Sequence, residues 1–358
     1  MALDRRPAYK GRGTPENPPN RFERLSYHPD PDALDTADDL PGPRTCLLRD
    51  PARTILAYND SPDVGFTVSL NPYRGCEHGC IYCYARPTHE WLGFSAGLDF
   101  ETQILVKEDA PRLLHDALAS PKWHPQVIAL SGVTDPYQPV ERQLRLTRRC
   151  LEVLAAWRNP VAVVTKSALV MRDRDLLATL AQVNAAVVFL SITTLETRLA
   201  RMMEPRASSP ARRLEAISTL AQAGIPVGVM VAPIIPGLTD HEMPAILKAA
   251  ARAGARFAGH TIVRLPYGVG DLFTRWLATH YPHRKNKVLD RIRAIRQGEL
   301  NDARWHSRMQ GQGVFAEAIH TLFALACRKA GLAITSPQLS TVAFRHPPDT
   351  LQPSLFSA

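Results

Sequence analysis

Short apolar segments rich in β-branched residues alternate with amphipathic segments from about residue 64 to about residue 263. Six of the apolar segments have the length and composition of buried strands: Val64–Leu70, Gln126–Ser131, Val161–Thr165, Ala186–Ile192, Pro226–Ala232 and Phe257–Val263. Helical spacing of apolar residues marks the segments between them: Ala110–Ala119, Glu141–Trp157, Arg172–Val183, Pro210–Ala223 and His241–Ala253. Alternating strands and helices form parallel sheets through right-handed crossovers. We therefore predict an α/β fold, and six strand–helix units indicate a partial (β/α)6 TIM-like barrel rather than a closed eight-stranded one.

The two ends of the chain lack this alternation. Residues 1–60 are rich in Pro, Asp and Arg, and the run from Gly11 to Asn20 excludes a helix or a central strand. After about residue 275 the pattern becomes mainly helical: His283–Gln297 is basic and polar, Val314–Ala330 is amphipathic, and Gly331 is a plausible helix stop. The sequence predicts three regions: an irregular N-terminal arm (1–60), a barrel core (61–275), and a helical C-terminal extension with a tail (276–358).

Composition narrows the class of protein. None of the apolar runs is long enough to span a bilayer, and no apolar stretch follows the basic N-terminal residues. We therefore expect a cytoplasmic protein without membrane association. The formal net charge of +9 favours a polyanionic partner such as nucleic acid. Arginines spread along helices, as at Arg142, Arg145 and Arg149, are equally typical of solvated helix faces, so the charge alone leaves both interpretations open.

Three of the six cysteines lie in one short run, Cys76, Cys80 and Cys83, with the spacing C-x3-C-x2-C. A [4Fe–4S] cluster normally takes four thiolates, so three thiolates this close can hold a cluster and leave one iron open. A structural zinc site with His78 or His89 as fourth ligand is an alternative, although zinc sites usually combine two cysteine pairs far apart in sequence. Ordinary buried thiols are the third interpretation.

Polar residues follow several of the predicted strands directly. The segment Ser131 to Asp135 follows the second strand, Thr165 to Ser167 the third, and Ser191 to Thr194 the fourth. Because ligands of such barrels lie at the carboxyl ends of the strands, we expect these segments to converge with the cysteine loop on one rim.

The cysteine run, with the aromatic Tyr82 before its last cysteine, resembles the cluster loop of the radical S-adenosylmethionine (SAM) superfamily. Combined with the run from Thr134 to Glu141 and with Thr165-Lys166-Ser167, it resembles the branch related to spore photoproduct lyase, often called DNA repair photolyase-like. The arm resembles that of one uncharacterised bacterial subgroup. The resemblance covers roughly residues 60 to 270 and implies an open (β/α)6 barrel. It also implies that Cys76, Cys80 and Cys83 hold a [4Fe–4S] cluster.

The same resemblance implies two cofactors, the cluster and SAM, and a flavodoxin- or ferredoxin-type reductant. In the superfamily the open iron binds SAM, and an electron from the cluster cleaves SAM to a 5′-deoxyadenosyl radical that abstracts hydrogen from a substrate. Residues at positions that contact SAM in the family are Tyr82, Ser131, Thr134, Asp135, Lys166, Ser191, Thr193 and Val231. The roles implied are adenine contact for Tyr82 and Val231, and the SAM amino group for Thr134 and Asp135, which replace the usual Gly-Gly-Glu motif. Lys166 would pair with the carboxylate of SAM. Ser191 and Thr193 would form hydrogen bonds to the ribose or the carboxylate of SAM. Caps, turns and core packing explain residues of these types equally well.

One departure from the branch affects the expected reaction. Spore photoproduct lyase uses a cysteine in the loop after the second strand as hydrogen donor, and here the segment from Ser131 to Glu141 has none. Repair of thymine photoproducts by that route is therefore doubtful, and Tyr137 is the residue we consider as a substitute donor. His260 and Arg264, in or just after the sixth strand, are candidates for facing the substrate cavity. The other polar candidates are Arg86, His89, Glu90, Glu101, Lys107, Glu141, Arg206 and Tyr267.

The sequence supports three hypotheses about function. The first is a radical SAM enzyme, lyase-like, with an unidentified substrate for which nucleic acid is the leading candidate. The second is a zinc-stabilised nucleic-acid-binding protein without catalysis. The third is an iron–sulfur redox or sensor protein that binds no SAM.

Overall fold

The computed structural model describes residues 9–23 and 43–347. Its strands, numbered in chain order, are β1 (Cys46–Arg49), β2 (Leu56–Tyr58), β3 (Val68–Leu70), β4 (Tyr73–Arg74), β5 (Gln103–Val106), β6 (Ile128–Leu130), β7 (Val161–Thr165), β8 (Ala186–Ser191), β9 (Val227–Ile234) and β10 (Phe257–Ile262). Seven of them form one sheet in the order β10-β9-β8-β7-β6-β3-β2. Strands β3 and β6 to β10 pair in parallel, and β2 is antiparallel to β3 at one edge. The predicted α/β fold with a parallel sheet is confirmed. Among the described residues, β2 and β10 are the two edge strands of the sheet and do not pair with each other, so the barrel is partial.

The helices are α1 (Asp99–Thr102), α2 (Ala110–Ala119), α3 (Glu141–Leu144), α4 (Leu146–Trp157), α5 (Arg174–Ala181), α6 (Thr197–Met203), α7 (Pro210–Gln222), α8 (Met243–Ala253), α9 (Gly268–His280), α10 (Lys285–Ala294), α11 (Ser307–Gln310) and α12 (Val314–Ala330). The prediction of one continuous helix over Glu141–Trp157 is wrong. Arg145 has a φ of 54° and divides the segment into α3 and α4. The helix predicted from Arg172 starts as a 3₁₀ segment (Ala168–Asp173) that leads into α5.

The N-terminal arm is only partly irregular. Its described part lies on the core, where Gly13 N–H donates to Glu101 and the Asn20 amide donates to the Glu90 carbonyl. The expectation that residues 1–60 lack regular structure is wrong for β1, which pairs in parallel with β5, and for β2 at the sheet edge. Both strands are short and largely exposed or half-buried, so their pairing partners, rather than a local apolar pattern, specify them. Residues 24–42 lie outside the described part of the chain.

The two faces of the sheet differ in how well they are covered. Side chains such as Val163, Val188 and Val229 alternate towards the helices and are fully buried in the main apolar cluster. Their neighbours Phe189 and Met230 alternate towards the barrel interior and are only half-buried. This alternation follows from the period of two in strand side chains, and it leaves the interior of the barrel open to a ligand.

The C-terminal helices contact both edge regions of the sheet. Helix α12 packs against α8, and Phe257 of β10 forms a β-bridge with Ala333 after α12. Arg308 of α11 forms an ion pair with Asp63 in the loop after β2 and donates to Ser61. The extension therefore connects the two edges of the sheet. Among the described residues, no helix has both the length and the apolar character needed to cross a membrane.

Candidate active site

The cysteine loop begins directly after β4 and lies at the carboxyl end of the first parallel strand. Cys76 and Cys80 are buried, and Cys83 is half-buried. Gly75 and Gly79 have φ values of 80° and 66°, a conformation that L side chains rarely adopt. Added side chains would also collide, since a Cβ on Gly79 would lie 2.5 Å from a carboxylate oxygen of Glu101. The loop therefore needs glycine at these positions to wrap tightly and turn its three thiols inward.

A buried arginine holds the back of this loop. The Arg86 guanidinium donates to the carbonyl oxygens of Cys80 and Gly79 and pairs with Glu101 at 2.5 Å. Both side chains are fully buried. Truncating either partner would leave an uncompensated buried charge, so the pair fixes the path of the chain at the second cysteine. Arg86 and Glu101, polar candidates on sequence grounds, are structural residues of the loop.

The thiol donors suit an iron–sulfur cluster. Cys76 and Cys83 pack together with Ala85 and Phe100, and Cys80 and Cys83 pack together next to Tyr82. Burial, followed by the charges of Asp135 and of the other two cysteines, raises the pKa of the Cys76 thiol. A positively charged metal core would compensate three thiolates in such a place, and thiolates are the ligands that iron–sulfur clusters take. Within the described residues, no three His, Cys, Asp or Glu side chains are grouped so as to hold a single metal ion.

Tyr82 lies at the centre of a buried polar network under the loop. Its hydroxyl donates to Glu204 and lies 3.2 Å from the Thr193 hydroxyl. Glu204 also forms a buried ion pair with Arg213. Burial alone would raise the pKa of Glu204, but the charges of Arg213 and Lys166 and the hydrogen bond from Tyr82 lower it to about 2. The Glu204 carboxylate is therefore ionised at neutral pH and is held in place by Tyr82 and Arg213.

Lys166 projects from the end of β7 into the same region. Its Nζ donates to the carbonyl oxygen of Ala232 in β9 (3.1 Å) and lies 5.9 Å from the centre of the Tyr82 ring. The Thr193 hydroxyl lies 3.2 Å from the same Ala232 carbonyl. The ends of β7, β8 and β9 thus meet the cysteine loop around Tyr82. The sequence predicted this convergence for the segments after β7 and β8.

Asp135 connects the loop after β6 to the cysteine loop. Its carboxylate accepts from the Thr165 hydroxyl (2.6 Å) and the Lys166 N–H (2.7 Å), and it lies 3.4 Å from His78 Nδ1. Burial favours a higher pKa for Asp135, but His78 and these hydrogen bonds lower it to about 2. Both carboxylate oxygens already have protein partners, so Asp135 positions three loops and keeps a full negative charge beside Cys76.

Ser131 and Thr134 belong to the same loop. Ser131 has a φ of 154°, outside the usual range for a residue with a side chain, and its hydroxyl donates to the Thr134 carbonyl. The Thr134 N–H donates to the side chain of Asn71, and its hydroxyl lies 3.3 Å from the carbonyl of Tyr73. The loop is therefore pinned to the chain that enters the cysteine loop.

Three predicted site residues are placed differently from the others. Ser191 ends β8, and its carbonyl accepts from Arg213, which connects it to the network under Tyr82. Val231 is 1% exposed and packs in the main apolar cluster on the helix side of the sheet. Tyr137 belongs to that cluster too, with its ring 6.0 Å from the Arg172 guanidinium. The structure thus does not bring the side chains of Val231 and Tyr137 to the rim, because strand alternation and the turn after Asp135 direct them into the core.

Sequence reasoning missed Glu204 and Arg213. Glu204 follows α6 and Arg213 lies within α7, so neither residue is at a strand end. An arginine on an amphipathic helix resembles an ordinary solvated residue, and only its position beside a buried carboxylate gives it a different role.

Comparison with known proteins identifies the family and the fold. The family model described as the radical SAM superfamily matches residues 70–250. An uncharacterised protein of Mycobacterium tuberculosis is 38% identical over 221 residues, which are 61% of this chain and 64% of that protein. An uncharacterised protein of Methanocaldococcus jannaschii is 34% identical over 48% of this chain and 62% of its own length. The chain thus spans somewhat less than two thirds of these relatives.

Solved structures of similar fold carry a bound ligand. Spore photoproduct lyase complexed with dinucleoside spore photoproduct superposes with a TM-score of 0.57 at 18% identity, over 80% of this chain and 81% of that one. A double mutant of the same enzyme with bound AdoMet and dinucleoside spore photoproduct has a TM-score of 0.54 at 16% identity, over 80% of each chain. At this identity the likeness establishes a shared fold.

Proposed function

Because the chain belongs to the radical SAM superfamily, we propose that it is an enzyme that holds one [4Fe–4S] cluster through Cys76, Cys80 and Cys83 and cleaves SAM reductively. When bound, the cluster and SAM supply an electron and a 5′-deoxyadenosyl radical that abstracts hydrogen from the substrate. The residues of this chain bind SAM, hold its charged groups and exclude water. A flavodoxin- or ferredoxin-type protein is the proposed electron donor.

The position of Lys166 is the observation that carries the proposal. Its ammonium group lies among the cysteine loop, the Tyr82 ring and the end of β9, and it is half-buried. An ammonium held there is suited to the carboxylate of SAM, because a charge-assisted hydrogen bond gains strength where water is scarce. Neither a zinc-stabilised binding protein nor an iron–sulfur sensor without SAM requires a cation at this place.

The amino group of SAM is assigned to the loop from Ser131 to Asp135. Asp135 remains ionised because its pKa is lowered to about 2, so it provides the negative charge that a SAM ammonium favours. Since its oxygens already accept from Thr165 and Lys166, its contribution is electrostatic and positional. Thr134 and Ser131 supply the remaining polar groups of this loop.

The adenosine part of SAM is assigned to the ends of β8 and β9 next to Tyr82. Ser191 and Thr193, at and beyond the end of β8, are the proposed contacts of the ribose. For the adenine we propose the Tyr82 ring and the backbone at Ala232, because the neighbouring Val231 side chain lies in the core.

Nucleic acid or a nucleotide-like molecule is the proposed substrate. The net charge of +9 supports a polyanion, and Tyr84, directly after the last cysteine, presents a half-exposed ring at the rim. The fold is shared with an enzyme seen in complex with a dinucleoside. The loop after β6 has no cysteine, and Tyr137 is buried in the core, so we assign no hydrogen donor to that loop.

Anaerobic reconstitution tests the proposed function. The protein loaded with iron and sulfide should form 5′-deoxyadenosine from SAM when dithionite is added, and a Cys80→Ala variant prepared in parallel should form none. Stoichiometric zinc without iron would favour the nucleic-acid-binding alternative. A cluster that leaves SAM intact would favour the redox or sensor alternative.

A further inference from the structure

The loop after β10 presents a guanidinium group without an anionic partner among the described residues. One amino group of Arg264 lies 3.4 Å from the sulfur of Met309, and its guanidinium carbon lies 5.5 Å from the centre of the Tyr84 ring. Its Nε–H is buried and has no hydrogen-bond partner. The residue as a whole is half-buried. Since polar atoms buried away from water normally have a hydrogen-bond partner, this Nε–H requires a physical explanation.

Other positive charges near Arg264 further disfavour a guanidinium without an anionic partner. Burial first, and then the positive charge of Arg308, lower the pKa of Arg264, while Tyr84 and Asp63 act in the opposite direction. Asp63 is already engaged by Arg308. The buried Arg296 adds another positive charge nearby, and its pKa is lowered to about 10 by burial and by Arg264. Like charges gathered in a poorly solvated place repel, so a bound anion would stabilise this arrangement.

The position of Arg264 connects this charge to the cysteine loop. Tyr84 follows Cys83 directly, and its hydroxyl donates to the carbonyl oxygen of Gly132 in the loop after β6. An anion held by Arg264 would therefore lie one side chain away from the cysteines, at the rim through which the barrel interior opens. Such a location suits a group of the substrate.

The backbone of the same loop is held in an unusual conformation. Tyr267 has φ 51° and ψ −131°, which is rare for a residue with a side chain, and its ring is mostly exposed. The guanidinium of Arg21, from the N-terminal arm, lies 3.6 Å from the centre of that ring. Backbone strain of this kind persists where the surroundings hold it, commonly at ligand sites. A stacked exposed ring beside a cation is also what nucleotide sites use.

We propose that Arg264 is the anchor for a phosphate ester of the substrate, bound over Tyr84 at the carboxyl end of β10. The proposal rests on the proposed function only in taking this rim as the place where the substrate is bound. A planar guanidinium with a free N–H group matches phosphate geometry, and its partial burial strengthens the interaction. The phosphate belongs either to a free nucleotide or to a strand.

Equilibrium binding by the cluster-loaded protein, measured without reductant, tests the proposal. The probes are a fluorescein-labelled pool of random-sequence hexadeoxynucleotides and a matched pool with uncharged methylphosphonate linkages, followed by fluorescence anisotropy. Wild type should prefer the charged pool. Arg264→Gln should weaken binding of the charged pool roughly ten- to a hundredfold, the usual effect of losing a hydrogen bond to a charged group, and leave the uncharged pool unaffected. Arg264→Lys should retain part of the preference.

An exposed arginine provides the matched control. Arg328→Gln, at the carboxyl end of α12, removes the same charge from a solvated site and should change binding only slightly. Competition by deoxynucleoside 5′-monophosphates, but not by nucleosides, would identify a free nucleotide as the phosphate source, and failure to compete would identify a strand. Equal effects of the Arg264 and Arg328 variants, or no preference in wild type, would overturn the inference. Failure of the proposed function would instead appear in wild type as absent iron or absent 5′-deoxyadenosine.

Discussion

The Nζ of Lys166 donates a 3.1 Å hydrogen bond to the carbonyl oxygen of Ala232 and thereby connects the ends of β7 and β9 beside the cysteine loop. A backbone carbonyl neutralises only part of an ammonium charge. Lys166 therefore keeps donors for a further acceptor, and the Tyr82 ring limits the directions in which that acceptor is placed.

Replacing Lys166 should weaken SAM binding without loss of iron. In Lys166→Gln we expect the affinity for SAM to fall tenfold or more, since hydrogen bonds to charged groups contribute about 1.5–3 kcal/mol. Isothermal titration of the anaerobic protein, with iron determined on the same sample, measures both quantities. Lys248→Gln, exposed on α8, is the control. An unchanged affinity of Lys166→Gln for SAM would show that this lysine is only a structural residue of the rim.

Replacing any one of the three clustered cysteines should abolish the cluster. Cys76→Ala, Cys80→Ala and Cys83→Ala should each lose the iron–sulfur absorbance and the bound iron, because no other thiol lies in the loop. Cys46→Ala, at an exposed position in β1, should keep both. Full cluster absorbance in Cys80→Ala would contradict the assignment of the ligands.

Two arginines adjacent in sequence should differ sharply in their contribution to stability. Arg213 pairs with Glu204 in a buried site, whereas Arg212 pairs with Glu215 on the exposed face of α7. Arg213→Met should lower the free energy of unfolding by about 3–5 kcal/mol, because it leaves a buried carboxylate unpaired. Arg212→Met should lower it by at most about 1 kcal/mol. Urea denaturation of both variants measures the difference, and similar values would show that Glu204 finds another partner.

Stability should decrease at mildly acidic pH because of His260 in β10. Burial first, and then the neighbouring His320 of α12, lower the pKa of His260 from 6.5 to about 4. A folded-state pKa below the unfolded value favours the neutral ring. The contribution of the neutral His260 ring to the free energy of unfolding is therefore complete above pH 6.5 and is lost as the pH falls towards 4. For one proton, the free energy of unfolding changes by at most about 1.4 kcal/mol per pH unit.

A pair of histidine variants isolates this effect. The free energy of unfolding of His260→Gln should vary less with pH between 6.5 and 4 than that of wild type, whereas His283→Gln, at an exposed position, should follow wild type. Parallel pH profiles for wild type and His260→Gln would assign the acid sensitivity to other groups.

The strand–helix alternation predicted the parallel sheet well, and the reason is physical. Strands such as β7 are buried on the helix side and carry continuous apolar runs, so their bounds are visible in the sequence, and Val161–Thr165 was predicted residue for residue. Strands β1 and β2 were missed because three or four partly exposed residues carry no distinctive pattern. Their existence depends on pairing with β5 and β3, which lie far along the chain or beyond a loop.

The candidate site was predictable where strand ends determine it. Lys166 and Thr193 meet around Tyr82 because the carboxyl ends of parallel strands share one rim. Val231 was assigned to the same rim, but strand alternation directs its side chain into the core, and Lys166 contacts the backbone carbonyl of its neighbour Ala232. Glu204 and Arg213 could not be found from the sequence, since only the fold brings them together.

Electron paramagnetic resonance of the dithionite-reduced protein, with and without SAM, tests the central claim most directly. After anaerobic reconstitution we predict a [4Fe–4S]⁺ signal that changes when SAM is added, because SAM would bind at the iron left open by three cysteine ligands. A [4Fe–4S]⁺ signal identical with and without SAM, or no iron signal and stoichiometric zinc, would contradict the account.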